Sequence, residues 1–159
     1  MKSMMGKYLP ILNDAGTALQ SPFLLLVRLY WGWQFIETGW GKVNHLDKVT
    51  EFFTSLGIPF AALQAPFVAG LELVGGMLLL VGLVSRPIAL LLAINMLVAY
   101  IAADREALLA IVSNPEQFYH AAPYTFLFAT MLIFIFGPGK ASIDAWIAGK
   151  KPEPTVLQQ

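Results

Sequence analysis

The chain has no cysteine. Disulfides, thiolate nucleophiles and iron–sulfur ligation by its own side chains are therefore excluded. Charge is scarce as well: Asp, Glu, Lys and Arg make up 13% of the 159 residues, against about 25% in ordinary soluble domains. Ten basic residues balance ten acidic ones, so nothing favours nucleic acid or a polybasic lipid tether, and no nucleic-acid partner is expected. Histidine occurs only at His45 and His120, both expected at outer helix ends or in loops. Facing ligands for a b-type haem are missing, as is any metal-ligand cluster, so neither haem nor metal is expected. No Ser-His-Asp arrangement and no phosphate-cradling P-loop is present.

What remains is apolar. Hydrophobic residues are 57% of the chain, too many for a soluble bundle, which needs polar residues over about half of each helix surface. The expected class is all-α: an integral membrane four-helix bundle with short amphipathic interfacial helices. Four runs serve as spans, at about 22–42, 65–84, 87–103 and 121–137. At 17 to 21 residues each, they rise about 25 to 32 Å, enough for a hydrocarbon core near 30 Å. They are long and do not alternate, which argues against strands.

Punctuation agrees with these spans. Ser21-Pro22, Ala65-Pro66 and Arg86-Pro87 place proline near helix starts, and Gly137-Pro138-Gly139 forms a strong stop. Only Ser85 and Arg86 separate the second and third runs, which predicts a tight antiparallel hairpin. Lys2 and Lys7 are followed by Pro10, Asn13, Asp14 and Gln20 before any apolar run. That order does not fit a cleaved signal peptide, and the first hydrophobic segment is expected to be retained as a helix. Residues 1–21 form an N-terminal cytoplasmic segment, 22–147 the membrane domain and 148–159 a flexible tail.

Basic residues set the orientation. Lys2, Lys7, Arg86, Lys140, Lys150 and Lys151 fall on one side, and Lys42, Lys48 and Arg105 on the other, a bias of six to three. Both termini are expected in the cytoplasm. Residues 46–60 and 104–113 carry apolar side chains at helical spacing, and both read as amphipathic helices on the outer surface. "SIDAWIAG" reads likewise on the inner side. Trp40 and Trp146 are expected as interfacial belt residues, with Arg86, Lys42 and Lys140 as snorkelling anchors and Asn95 as a midspan interhelical hydrogen bonder.

Within the first run, Arg28, Gly32, Phe35, Gly39 and Lys42 are spaced 4, 3, 4, 3 and form one stripe. Glu72, Gly76, Leu79, Leu83 and Arg86 repeat that spacing in the second. Small residues on such stripes let membrane helices approach closely. Centring the spans near residues 32 and 75 puts Arg28 roughly 6 Å to the inner side and Glu72 about 4 to 5 Å to the outer side. An unpaired intramembrane charge costs at least about 2.5 to 3.5 kcal/mol, so Arg28 and Glu72 are expected to meet inside the bundle, directly or through a water or ligand. Such a pair serves equally as a packing device or as part of a functional cavity. Glu37 points about 180° away, on a face with Trp33 and Trp40; either the helix is buried on both sides or this face meets a second copy.

Tyr100, His120, Tyr124 and Thr125 lie toward the outer ends of the third and fourth spans. Read with Glu72, these hydroxyls, the imidazole and the carboxylate would suit a quinone-like or phenolic ligand. The plainer alternative is that they are ordinary interfacial aromatics.

Arg28…Gly32..Phe35…Gly39..Lys42, Gly70-Leu71-Glu72 with Gly75-Gly76, "LLLVGLVSRP" and "GPGKASID" in this order resemble the DoxX/DoxD family over about residues 22–147. The resemblance implies a small bacterial or archaeal four-helix protein of the cytoplasmic membrane, with members serving in quinone-linked oxidoreductase systems or as membrane partners in oxidative-stress complexes. It also implies that Arg28, Glu72, Arg86 and Asp144 occupy the family's polar positions. Asp144 is then expected to pair with Arg86 or Arg28 on the inner side. Glu37 and Trp33 fall outside the family pattern. The function expected is a quinone-linked subunit that acts with a redox partner protein. The alternatives are a non-enzymatic module that binds or moves a lipid or small hydrophobic molecule, and a scaffold.

Overall fold

The computed structural model describes the backbone of residues 2–149 and the side chains of residues 10–149. All regular elements among them are helices: α1 (Lys2–Asn44), α2 (Leu46–Ser55), α3 (Ala61–Val81), α4 (Ser85–Ala102), α5 (Arg105–Leu109), α6 (Pro115–His120), α7 (Pro123–Phe136) and α8 (Ile143–Gly149). Most of the expected tail, residues 150–159, lies outside the described residues.

Helix α1 departs from expectation. It runs unbroken through Pro10 and Pro22, so the boundary drawn at residues 21 and 22 is not a helix end. An internal proline removes one backbone hydrogen bond. Leu12, Ala15, Ala18, Leu19 and Gln20 are helix formers that carry the helix up to it. The other three long runs start and stop within a few residues of their expected limits.

The turn between α3 and α4 is as tight as the sequence implies. Gly82 and Val84 both adopt left-handed backbone, at φ 73° and 49°. Glycine takes that conformation freely, whereas a β-branched residue is strained in it.

Helix α3 packs between α1 and α4, α4 packs on α7, and α7 returns to α1. The α1–α3 contact is closest where glycines face each other. A Cβ added to Gly76 would lie 2.7 Å from the Gly32 carbonyl oxygen and 2.8 Å from the Ile36 nitrogen, and one added to Gly39 would collide with the Leu73 backbone. Val27, Phe35, Leu79, Leu92, Met96, Ala129 and Ile133 fill the interior between these helices. At the end that carries α2, α5 and α6, called the outer end after its expected orientation, a second cluster forms around Tyr100, Ala107 and Phe118, tying α5 and α6 to α4.

The outward faces are apolar too: Leu63, Phe67 and Val74 on α3, Leu91, Ile94 and Ile101 on α4, and Phe128, Ile135 and Phe136 on α7 are all exposed. Water does not favour such contiguous apolar surface, but lipid does. Helices α3 and α4 are long and apolar enough to cross a membrane, each with a mean hydropathy of 1.7; α7, at 14 residues, is apolar but shorter.

Candidate functional site: one polar centre at the end of the helices and one at their middle

Arg28 and Glu72 are both buried, each 1% exposed, and both turn into the protein. They do not meet. The glycine contacts set the register: Gly39 lies against Ala69 and Leu73, Gly32 against Gly76 and Leu80, and Arg28 against Gly82. Arg28 is therefore level with Gly82, ten positions from Glu72, or about 15 Å of helix rise. Estimating depth from the middle of each apolar run placed Arg28 too near the centre. Its level is the inner end of α3.

There Arg28 donates to three main-chain carbonyls: Nη1 to Pro138 at 2.7 Å, and Nη2 to Ala141 at 2.9 Å and Leu80 at 3.4 Å. Its Nε has no partner. Residues 137–142, which follow α7, are not helical, so their carbonyls lack the partners that a helix would provide. A planar guanidinium with five donors is suited to satisfying several at once. Asp144 completes this end. Its carboxylate accepts from the Val84 and Ser85 nitrogens, both at 2.8 Å, and its own nitrogen donates to the Gly82 carbonyl at 2.9 Å. Burial pushes the Asp144 carboxyl up, but the Ser85 and Val84 N–H groups and the charge of Arg28 together hold it below its ordinary value. Of the two partners expected for Asp144, Arg86 makes no ion pair with it, and Arg28 acts on it through its charge without a direct contact. Arg86 is exposed, its guanidinium beside Gly137. Asp144 instead caps the start of α4, where a helix N-terminus favours negative charge.

The second centre surrounds Glu72. Both carboxylate oxygens accept from Lys42 Nζ, and Oε1 also accepts from Asn95 Nδ2 at 3.1 Å. Lys42 is thus no surface anchor. In this register its Cα lies about one turn toward the outer end from Glu72, well within reach of a lysine side chain. Three helices (α1, α3 and α4) each contribute one side chain. Lys42 already stood in the charged stripe of α1; its position at the end of an apolar run hid the role.

This triad forms the polar floor of a cavity of about 450 Å³ in the outer half. Phe35 and Thr38 of α1, Val68 of α3, Met96 and Ala99 of α4, and Phe126 of α7 form its walls. Helix α2 closes the outer side with Val49, Phe52 and Phe53, and Lys48 and Gln64 are the other polar groups lining the space. That volume is in the range of small-molecule sites, which pair apolar walls with a few convergent polar groups.

Of the residues proposed for a ligand, Glu72 lines this cavity and Arg28, Tyr100, His120 and Tyr124 do not. The Tyr100 hydroxyl donates to the Phe118 carbonyl at 2.8 Å and its ring stacks on Phe118, so it fastens α6 to α4. Tyr124 packs edge-on against Phe118 in the same aromatic cluster. His120 is exposed, its Nε2 3.8 Å from Glu116. Helix α6, for which the sequence carries no apolar periodicity, draws these rings away from Glu72. Among the described residues, no group of His, Asp and Glu side chains has the makings of a metal site.

The pattern that defines the DoxX family matches residues 23–105, which carry α2, α3, α4 and the outer part of α1. Three curated proteins are similar over most of their length. The Bacillus subtilis protein named "Putative oxidoreductase CatD" is 28% identical over 128 residues, covering 80% of this chain and 89% of that protein. "Inner membrane protein YqjF" of Escherichia coli is 28% identical over 127 residues, covering 79% and 92%. An uncharacterized protein of Haemophilus influenzae is 28% identical over 136 residues, covering 83% and 86%. No solved structure matches the chain. With more than half of its residues under the family pattern, and with its apolar outer faces, this chain belongs to the DoxX family and is a membrane protein.

Proposed function

We propose that this chain is a multi-pass protein of the bacterial or archaeal cytoplasmic membrane in which α1, α3, α4 and α7 form a four-helix membrane bundle with both termini in the cytoplasm. In this reading its outer cavity binds a quinone or similar flat amphiphile, and the chain serves as a quinone-linked subunit of an oxidoreductase system whose partner protein supplies the electrons. One observation carries the reading: an apolar cavity near 450 Å³ has a single polar floor, Lys42–Glu72–Asn95, at the level of the middle of α3. Lys42 neutralises Glu72, so the floor presents hydrogen-bonding groups with no net charge. That suits a neutral carbonyl-bearing ring better than an anionic head. The relatives' names, an oxidoreductase and an inner membrane protein, support the same assignment.

A second reading rests on the predominance of apolar side chains in the lining. It makes the chain a non-enzymatic module that binds or moves a lipid or small hydrophobic molecule. Titrating purified protein in nanodiscs with a short-chain quinone separates the two. Saturable binding weakened by Glu72→Gln and Asn95→Leu, and unchanged by Arg28→Lys, is the expected result. Quinone binding that ignores both floor substitutions, alongside co-purified lipid that they displace, would transfer the assignment to the second reading.

A further inference from the structure

Helix α1 carries a second heptad stripe. Leu26, Tyr30, Trp33, Glu37, Trp40 and Asn44 are spaced 4, 3, 4, 3, 4 and lie opposite the stripe that packs on α3. Every one of them is exposed, the two tryptophans by 55% and 59%. The α1–α3 register puts Glu37 level with Leu73, close to the middle of α3. Glu37 has no hydrogen-bond or ion-pair partner among the described residues. Arg28 and Glu72 are both compensated within the chain, so at midspan depth, among the described residues, Glu37 is the charge that its own fold leaves open. A carboxyl facing acyl chains at that depth is expensive, and something polar must cover it.

The pattern says what covers it. Tyr30, Glu37 and Asn44 are seven residues apart and fall on one heptad position; Leu26, Trp33 and Trp40 fall on the other. In a parallel two-fold coil, like positions meet. Side chains capable of hydrogen bonding then face their own kind, and apolar ones face apolar ones. A shift by half a heptad or an antiparallel pairing would set Glu37 against tryptophan. Two copies of one membrane protein share an orientation, so parallel is the arrangement that the bilayer imposes. Gly41 adds room at the same face, with no neighbouring atom within 4 Å of where its Cβ would lie.

We propose that two copies of this chain pair through α1 as a parallel, in-register coil along Leu26, Tyr30, Trp33, Glu37, Trp40 and Asn44. Glu37 meets Glu37 of the second copy across the seam, each carboxyl covered by the other. The seam lies away from Phe35, Thr38 and Lys42, so pairing leaves both cavities open. The inference rests on the membrane placement of α1 proposed above, and the test separates the two.

Because the natural chain has no cysteine, single cysteines can be introduced cleanly at the six stripe positions and, as controls, at Leu29, Ile36 and Val43. Each variant is oxidised in membrane vesicles and, in parallel, treated with a membrane-impermeant maleimide. The expected result is disulfide-linked dimer peaking at the stripe positions and falling to background at the controls, with positions 30 to 40 protected from maleimide. Strong maleimide labelling there would remove α1 from the membrane. Protection without dimer, or cross-linking equal at Leu29 and Val43, would overturn the pairing. In single-cysteine Trp33→Cys protein, a second change Glu37→Gln should keep the cross-link, because two amides can still pair. Glu37→Lys should lose it.

Discussion

Arg28 shows how a charge can be native to an apolar run without touching a ligand. Its guanidinium satisfies the carbonyls of Pro138, Ala141 and Leu80. Backbone at membrane depth is tolerated outside a helix only where protein satisfies it. Arg28→Met leaves three partly buried carbonyls without this donor. It should lower unfolding stability by about 3–5 kcal/mol, measured by denaturant titration in detergent. Arg28→Lys should recover only part of that loss, because an ammonium lacks the planar fork. Asp144 makes a separate prediction with a definite sign. Its folded pKa lies below the ordinary value of 3.8, so its contribution is fully present above that value and lost as pH falls through the lower, folded one. Acid unfolding scans between about pH 5 and 2 should therefore show wild type losing stability more steeply than Asp144→Asn. At neutral pH, Asp144→Ala should cost about 1–2 kcal/mol through loss of the cap on α4. It also removes support from Val84, whose left-handed backbone is strained.

At the scale of elements, the α1–α3 contact is made by glycines that meet backbone rather than flexible side chains. Gly39→Ala and Gly76→Ala should each destabilise by about 1–3 kcal/mol, because backbone cannot step aside. Gly70→Ala is the internal control. Nothing lies within 4 Å of the added Cβ, and alanine is the better helix former by up to about 1 kcal/mol, so thermal stability should hold or rise slightly. The α1 stripe was legible in the sequence as 4, 3 spacings, and so was the α3 stripe through Glu72, Gly76 and Leu79; Leu83 and Arg86, read as its continuation, lie beyond the end of α3 at Val81. The long helices were legible through their apolar runs and their flanking Gly and Pro. The relative slide of α1 and α3 was not. Spacing within a helix fixes which residues share a face; how far one helix sits along its neighbour depends on where two surfaces interlock, and here that is Gly32 and Gly39 against Gly76 and Ala69. Continuation of α1 through Pro22 was hidden for a similar reason, since proline restricts both helix starts and helix interiors, and only the neighbouring residues decide between them.

For the whole molecule, one polar centre sits at the inner end of the packed helices and the other near their middle, and they do different work. The inner one, Arg28 with Asp144, locks the segment after α7 onto α1, α3 and α4. The outer one, Lys42–Glu72–Asn95, joins three helices beneath a cavity. Lys42→Met leaves a buried carboxylate without its cation and should cost about 3–5 kcal/mol. The double variant Lys42→Met with Glu72→Leu should recover most of that, and a double-mutant cycle in detergent measures the coupling. If the two losses simply add, the ion pair does not hold α1 to α3.

The sequence alone settled that the chain is helical and made for lipid, because too few polar residues exist to coat its helices. It also settled which side chains share a face, because helical periodicity is a property of one segment. Tertiary structure alone decided which charges meet. A pairing between helices depends on their relative slide, and a shift of about 5 Å was enough to give Glu72 to Lys42 and to hand Arg28 a set of carbonyls instead.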